Sequence, residues 1–400
     1  MTSRINVSHL RRPPDLHSFF TRSLAMAGIP DRPAPPAALV DALRTVGVPL
    51  ESLADACKAC DACDDEADLE DLAYPKGFDV DLDSQMLGEL KPLGRQILVS
   101  SGKSDWIREV TDDTDSIPGL VKLAYDEATA KPSAGLLGKV GGKLFKSGKG
   151  EEAEEKGGLP GVHPSKAVAG ADVAVSSRLS ILSSSFISNS HTHHHESVIV
   201  LPDYKVVHDV EPTRTAVDEL VERYLRPEAG RVGLDASQSA LRSWPLPYQA
   251  VILLCSHRKR DKRCSIAAPL LISQFHTHLD KHGLHVDERG EDLAEGPAIE
   301  EWEGDEGEKR RNMEESLRER SVEGGRVGLF KVSHIGGHRY AGNVIIYFPN
   351  GSSIWYGRAT PADVAAIVDR TIMQGKVIPE LLRGGLGLAG KTGPRGVLEW

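Results

Sequence analysis

Residues Gln249-Ala250-Val251-Ile252-Leu253-Leu254-Cys255 form a short, unbroken apolar run that ends on a cysteine. A run of this length suits a strand buried on both faces. From Ser265 to His282 the apolar residues Ile266, Leu270, Phe275 and Leu279 follow helical spacing, and Gly283 stands where a helix C-cap is expected. Leu284–Val286 reads as a short strand, and Arg326–Val332, Asn343–Phe348 and Ser353–Tyr356 read as longer ones. Pro361–Met373 reads as a closing helix, with Thr360 as N-cap and Pro361 at its first position.

A parallel β-α-β unit, a β-hairpin and a closing helix give the thioredoxin-like order. The first half repeats it more faintly. Gln96–Ser100 (QILVS) stands where Val251–Cys255 (VILLC) stands later, Arg178–Ile187 and Ser197–Leu201 parallel the later strands, and Thr213–Tyr224 parallels the closing helix. The loops also correspond, Ser190–His195 with Ser333–His338. The expected fold is α/β: two tandem thioredoxin-like domains from a degenerate duplication, with a disordered N-terminal extension and charged insertions. The expected boundaries are an extension over 1–70, a first domain over 71–230 with a flexible loop at 132–165, a second over 231–383 with a charged insertion at 287–325, and a flexible tail over 384–400. A helix is expected within the extension from Pro36 to Val46, and another in the insertion near Glu308–Arg320.

Composition narrows the function. Four hundred residues suffice for two or three domains, and 48 basic against 58 acidic side chains leave a net charge of −10. That balance disfavours a bulk nucleic-acid binder. Five cysteines are too few, and odd, for a secreted disulfide scaffold. Runs of 18 apolar residues are missing, as is a secretory signal core, so a soluble intracellular protein without a membrane span is expected. Arg4, Arg11, Arg12 and Arg22 give the N-terminus a faint likeness to a mitochondrial presequence, against which a disordered basic tail is preferred.

The chemistry concentrates in Cys255-x8-Cys264 and His334-x3-His338. On the expected fold Cys255 ends a strand, Cys264 begins a helix, and the histidines bracket Ile335-Gly336-Gly337 in a loop at the same end of the sheet. Two thiolates and two imidazoles suit tetrahedral zinc or a [2Fe–2S] cluster. The intervening Ser256–Arg263 carries five positive charges and one negative. It is long for a structural zinc pair and better matched to a larger anionic cluster.

Cys255–Cys264 (CSHRKRDKRC) and Ser333–Val344 (SHIGGHRYAGNV), with Gly102–Trp106 (GKSDW), Trp355-Tyr356-Gly357 and the stretch Gly375–Gly385, resemble the sucrase/ferredoxin-like family, whose actin-patches-distal members are thioredoxin-like [2Fe–2S] ferredoxins. The resemblance spans about residues 70–385. It implies Cys255 and Cys264 on one iron and His334 and His338 on the other, and an electron carrier rather than a glycosidase. Imidazole ligands raise the potential above that of an all-cysteine ferredoxin, and their free ring N–H groups imply proton-coupled reduction, in a role in cellular redox or iron homeostasis. The basic loop would dock a redox partner such as a flavin reductase. The C-terminal Leu398-Glu399-Trp400 resembles the tripeptide that recruits apoproteins to the cytosolic iron–sulfur targeting complex, favouring a cytoplasmic over a mitochondrial location. Cys57-x2-Cys60-x2-Cys63 lacks a fourth local ligand, and the His191–His195 run is read as an incidental polar loop. A thiol–disulfide oxidoreductase using Cys255 and Cys264, and a zinc-stabilised binding module, are the other classes open to these residues.

Overall fold

The computed structural model describes residues 32–58, 73–130, 159–167, 175–323 and 325–400. Helices α1 (Ala37–Thr45) and α2 (Leu53–Lys58) precede β1 (Arg95–Ser100), α3 (Ile117–Thr129), β2 (Val162–His163), β3 (Leu179–Ser184), β4 (Glu196–Leu201) and β5 (Lys205–Val210). Helix α4 (Arg214–Leu220), continued by a π-turn over Val221–Leu225, leads to β6 (Arg242–Pro245) and β7 (Ala250–Cys255). Then come α5 (Lys262–Lys281), β8 (His285–Asp287), α6 (Glu306–Glu323), β9 (Arg326–Val332), β10 (Val344–Tyr347) and β11 (Ser353–Tyr356). A closing helix of mixed pitch from Pro361 to Ile372 and strand β12 (Leu382–Leu386) complete the order.

The strands of the described residues lie in one mixed twelve-stranded sheet, ordered β2-β12-β11-β10-β7-β9-β3-β1-β4-β5-β6, with β8 alongside β9. Each half uses the same pairing. Strand β1 is parallel to β3 and antiparallel to β4, and β4, β5 and β6 follow antiparallel. Strand β7 is parallel to β9 and antiparallel to β10, and β10, β11 and β12 follow antiparallel. The halves join through an antiparallel contact between Ser184 and Val332, the last residues of β3 and β9. The carboxyl ends of the parallel strands of both halves therefore meet near the middle of the molecule.

The buried run of β7 has a simple origin. Ala250, Ile252 and Leu254 face a core that includes Ala267, Ala268, Leu271 and Phe275 of α5. Val251 and Leu253 face a second core, shared by both halves, that includes Leu98, Ile199 and Phe330, together with Met313 and Leu317 of α6. With both faces covered, no polar alternation is needed. Ile97 and Val99 of β1 face a third core with Val121 and Ala124 of α3 and Val217 and Leu220 of α4.

Several expectations change. The extension is not wholly disordered: α1 sits where Pro36–Val46 was expected, Leu43 is fully buried, and Arg32 forms a buried ion pair with Asp363. Residues 1–31 and 59–72 lie outside the described residues, as does most of the expected loop at 132–165. Its end, Val162–His163, pairs with β12. The charged insertion at 287–325 holds α6, anchored by buried Met313 and Leu317. The tail expected to be flexible from 384 is ordered. Leu388 and Val397 are buried, and Asn350 donates to the carbonyls of Val397 and Glu399 at 2.7 Å each. Its glycines serve close packing: a Cβ at Gly384 would stand 2.5 Å from the Gly161 carbonyl oxygen.

Candidate metal centre

Cys255 is the last residue of β7, and beyond it the Ser256 N–H still bonds to the Val332 carbonyl at 3.2 Å. The chain then turns, with the N–H groups of Arg260 and Asp261 both donating to the His257 carbonyl. Asp261 caps α5 by accepting the Arg263 N–H at 2.9 Å and pairs with the Arg263 guanidinium at 2.8 Å. Cys264, in the first turn of α5, points inward and is 1% exposed. The basic loop thus folds back so that both cysteines are buried at one end of the sheet.

The histidine loop closes over them. Gly336 and Gly337 adopt positive φ (76° and 63°), the left-handed turn expected of paired glycines. Asn343 donates to the Gly337 carbonyl at 3.0 Å, and Arg383 donates to the Asn343 side-chain oxygen at 2.5 Å. A Cβ at Gly337 would fall 2.2 Å from the Arg383 guanidinium, so a larger residue there would be strained by its positive φ and would have to displace Arg383. The His334 and His338 rings lie 5.4 Å apart, inclined at 43°. His334 is half-buried and its Nδ1 is buried without a partner, whereas His338 is exposed.

The Cys255 sulfur is the hub. Cys264 beside it, with His334 and the N–H groups of Ile335 and His257, holds its pKa well below the ordinary thiol range, against the opposing effect of burial. Cys264 is pushed up by the same contact with Cys255 and by burial. Two adjacent buried thiols do not ionise together, and these opposite shifts favour charge on Cys255 over Cys264. Burial and the neighbouring His334 lower the pKa of His338, favouring the neutral imidazole that a metal requires. Cys264 and His334 thus both act on Cys255, and the His338 ring stands beside that of His334. Among the described residues, no group of three or more His, Cys, Asp or Glu side chains is arranged to hold a single metal ion.

Sequence reasoning missed several neighbours. Arg383 is 3% exposed, its Nε is buried and unpartnered, and burial lowers its pKa to about 10, with Cys255 as a nearby negative group. The first half also reaches the site. Ser256 Oγ donates to the Ser104 carbonyl at 2.9 Å, His257 Nε2 lies 3.0 Å from the Trp106 carbonyl, and the Lys259 N–H donates to Asp105 at 3.2 Å. Gly102–Trp106 thus acts as a clasp on the cysteine loop. From another side, the Asp79 carbonyl accepts from Arg263 at 2.8 Å, Glu89 pairs with Arg339 at 2.7 Å, and the Tyr74 hydroxyl bonds to the Ala359 carbonyl at 2.6 Å. The buried Arg383 had no signal beyond a charge set among glycines.

The other singled-out residues lie elsewhere. His191–His195 fill the mostly exposed β3–β4 loop, where His195 Nδ1 is 3.8 Å from Asp209. Cys57 falls within α2, and Cys60 and Cys63 lie outside the described residues. The half-buried Trp400 ring lies 5.9 Å from the Arg231 guanidinium and 5.0 Å from that of Arg318. Among the described residues, no helix is long and apolar enough to cross a membrane.

A family model described as sucrase/ferredoxin-like matches residues 86–384. Similar curated proteins include "Altered inheritance of mitochondria protein 32" of Debaryomyces hansenii, 40% identical over 137 residues that make up 34% of this chain and 35% of the relative. "Actin patches distal protein 1" of Saccharomyces cerevisiae is 35% identical over 126 residues, 31% of this chain and 30% of the relative. The chain thus spans about a third of the length of these relatives. No solved structure matches it.

Proposed function

Because the chain belongs to the sucrase/ferredoxin-like family, we propose that it is an electron carrier holding one [2Fe–2S] cluster, with Cys255 and Cys264 on one iron and His334 and His338 on the other. The observation that carries this reading is a pair of buried free thiols, Cys255 and Cys264, beside a buried His334 Nδ1 that lacks any partner. A buried ring nitrogen in a thiol-lined site is chemically incomplete and suits a metal. Four donors around one ion would converge on a point, whereas two irons take two donors each, which fits pairs set side by side. The same topology in both halves supports a tandem thioredoxin-like reading in which the second half keeps the donors.

The cluster, when bound, supplies one-electron chemistry. The chain's own residues bury the two sulfurs, fix the histidine loop through Asn343 and Arg383, and leave His338 at the surface. A histidine ring N–H facing solvent can exchange a proton, so reduction takes up a proton and the potential falls as pH rises. A potential flat from about pH 6 to 9 would remove that coupling. Leu398-Glu399-Trp400 belongs to the same reading as a recruitment signal in the cytoplasm. Its deletion is expected to lower cluster loading in cells.

The test is anaerobic purification with iron and sulfide analysis, absorption and electron paramagnetic resonance spectra. Red-brown protein with two irons and two sulfides per chain is expected. The contact between the two thiols favours one competing reading, a dithiol carrier. Colourless protein that reversibly forms a Cys255–Cys264 disulfide, after cluster loss is excluded, would establish it instead.

A further inference from the structure

The exposed rim of the site is built from both halves and is cationic in an acidic protein. The clasp over residues 101–109 contributes Lys103 and Arg108, and the cysteine loop contributes Arg258, Lys259 and Lys262, all exposed. None forms a salt bridge among the described residues. The acids of the same segments are already engaged: Glu109 pairs with Arg260, Asp261 with Arg263, and Asp105 accepts the Lys259 N–H. Glu196, which accepts from Ser100 nearby, is acted on by Lys103 through space. Ile107 (46% exposed) lies in the clasp and Ile266 (38%) on α5, one helical turn after Lys262, and only Leu123 is a further exposed large apolar side chain among the described residues. Arg260 and Arg263 bring the field of this rim to His338, the exposed member of the donor set.

Unpaired cations around exposed apolar anchors make a docking face, the cations steering encounter and the isoleucines supplying contact. Charge complementarity selects an acidic protein surface. Electron counting selects its cofactor. A nicotinamide delivers two electrons as hydride, whereas the site takes one, and a flavin converts between the two.

Resting on the electron-carrier reading, we infer that Lys103, Arg108, Arg258, Lys259 and Lys262, around Ile107 and Ile266, form the docking face for an acidic flavoprotein that reduces the site. In the transfer, a flavin hydroquinone gives up one electron and releases a proton to water, and one of two ferric ions becomes ferrous. The first half is thereby part of the electron-entry surface.

The probe is an acidic flavodoxin in its hydroquinone form, mixed anaerobically with the purified protein in a stopped-flow instrument, with calorimetric binding measured separately. The triple variant K103E/R258E/K259E is expected to associate at least about tenfold more slowly at low salt, with a flattened salt dependence. Its iron content and cluster spectrum should match wild type. The charge-matched control K281E/R310E/R311E, on exposed residues of the far end of α5 and of α6, should stay within about twofold of wild type. Equal rates and salt slopes for the two triples, or no saturable wild-type binding, would overturn the inference. A protein that holds no cluster once cluster loss is excluded, yet binds flavodoxin calorimetrically and loses binding in K103E/R258E/K259E but not in the control, upholds the face while sinking the electron-carrier reading.

Discussion

The strand-end serine of the first half and the strand-end cysteine of the second occupy equivalent places in one pairing scheme and do different things. Ser100 ends β1, bonds to Glu196 and accepts the Ser197 N–H at 2.9 Å. Beyond it Ser197 Oγ lies 2.7 Å from His208 Nδ1, so each polar side chain there has a protein partner at one atom at least. Cys255 ends β7 among a second thiol, an imidazole and backbone N–H groups. The first half is anchored at the other end of its strand, where Arg95 pairs with Asp203 at 2.7 Å and donates to the carbonyls of Arg226 and Ala229. The matching strand of the second half starts on Ala250, in apolar packing. Both halves thus keep polar groups at the carboxyl end of the strand, satisfied among themselves in the first half and gathered around two thiols in the second, and the first half adds a buried ion pair at the strand's start.

Four experiments put this contrast to the test. The largest effect is expected from Cys255→Ser, which converts the second half's strand end into the first half's residue. Iron content should fall at least about tenfold while circular dichroism stays native, because the ligand is lost and the strand is not. Retained iron would place the metal elsewhere. Next, Arg95→Met strands the buried Asp203 carboxylate and should cost about 3–5 kcal/mol in urea unfolding without changing iron per folded chain.

His208 tests the first half through pH. Burial, opposed by Asp209, lowers its pKa to about 4 from an ordinary 6.5. The unfolded chain therefore binds the proton more readily, and the stabilisation present above about pH 6.5 is lost as pH falls towards 4. His208→Gln should remove about 3 kcal/mol of that acid sensitivity, read as a flatter urea midpoint between pH 4 and 7. An unchanged pH slope would assign acid loss to other groups. The smallest expected effect is electronic. Arg383→Met removes a buried cation beside Cys255 and should lower the reduction potential by about 60 mV, equivalent to about 1.4 kcal/mol for one electron. An unaltered potential would leave Arg383 only the mechanical role of bracing Asn343.

Much of the second half is legible in the sequence. The apolar run of β7, the helical spacing of α5 and the paired glycines between His334 and His338 each answer to local rules. The meeting of Cys255, Cys264 and His334 follows from that order of elements. What escaped has a physical reason. Strand β12 is Leu382-Arg383-Gly384-Gly385-Leu386, whose glycines read as a mobile tail. They are there because Gly161 and Ser353 approach too closely for a side chain: a Cβ at Gly385 would lie 2.3 Å from the Ser353 carbonyl oxygen. Strand β6, Arg242–Pro245, shows no alternation of polar and apolar residue types although its burial alternates, and its register is set by pairing with β5. The docking of Gly102–Trp106 on the cysteine loop joins residues about 150 positions apart, and short-range patterns carry no trace of such a pairing.

The grip of Arg32 on Asp363 has a bearing on biosynthesis. The two residues are 331 positions apart, and Arg32 also donates to the Arg358 carbonyl at 2.6 Å. At roughly 5–20 residues per second, translation leaves the early segment waiting on the order of 20–70 seconds for its seat to emerge from the ribosome. Arg383, beneath the histidine loop, leaves later still. The pocket formed by Cys255, Cys264 and the histidine loop is therefore among the last parts of the chain to be completed, and a cluster of the kind proposed would enter it after translation rather than during it.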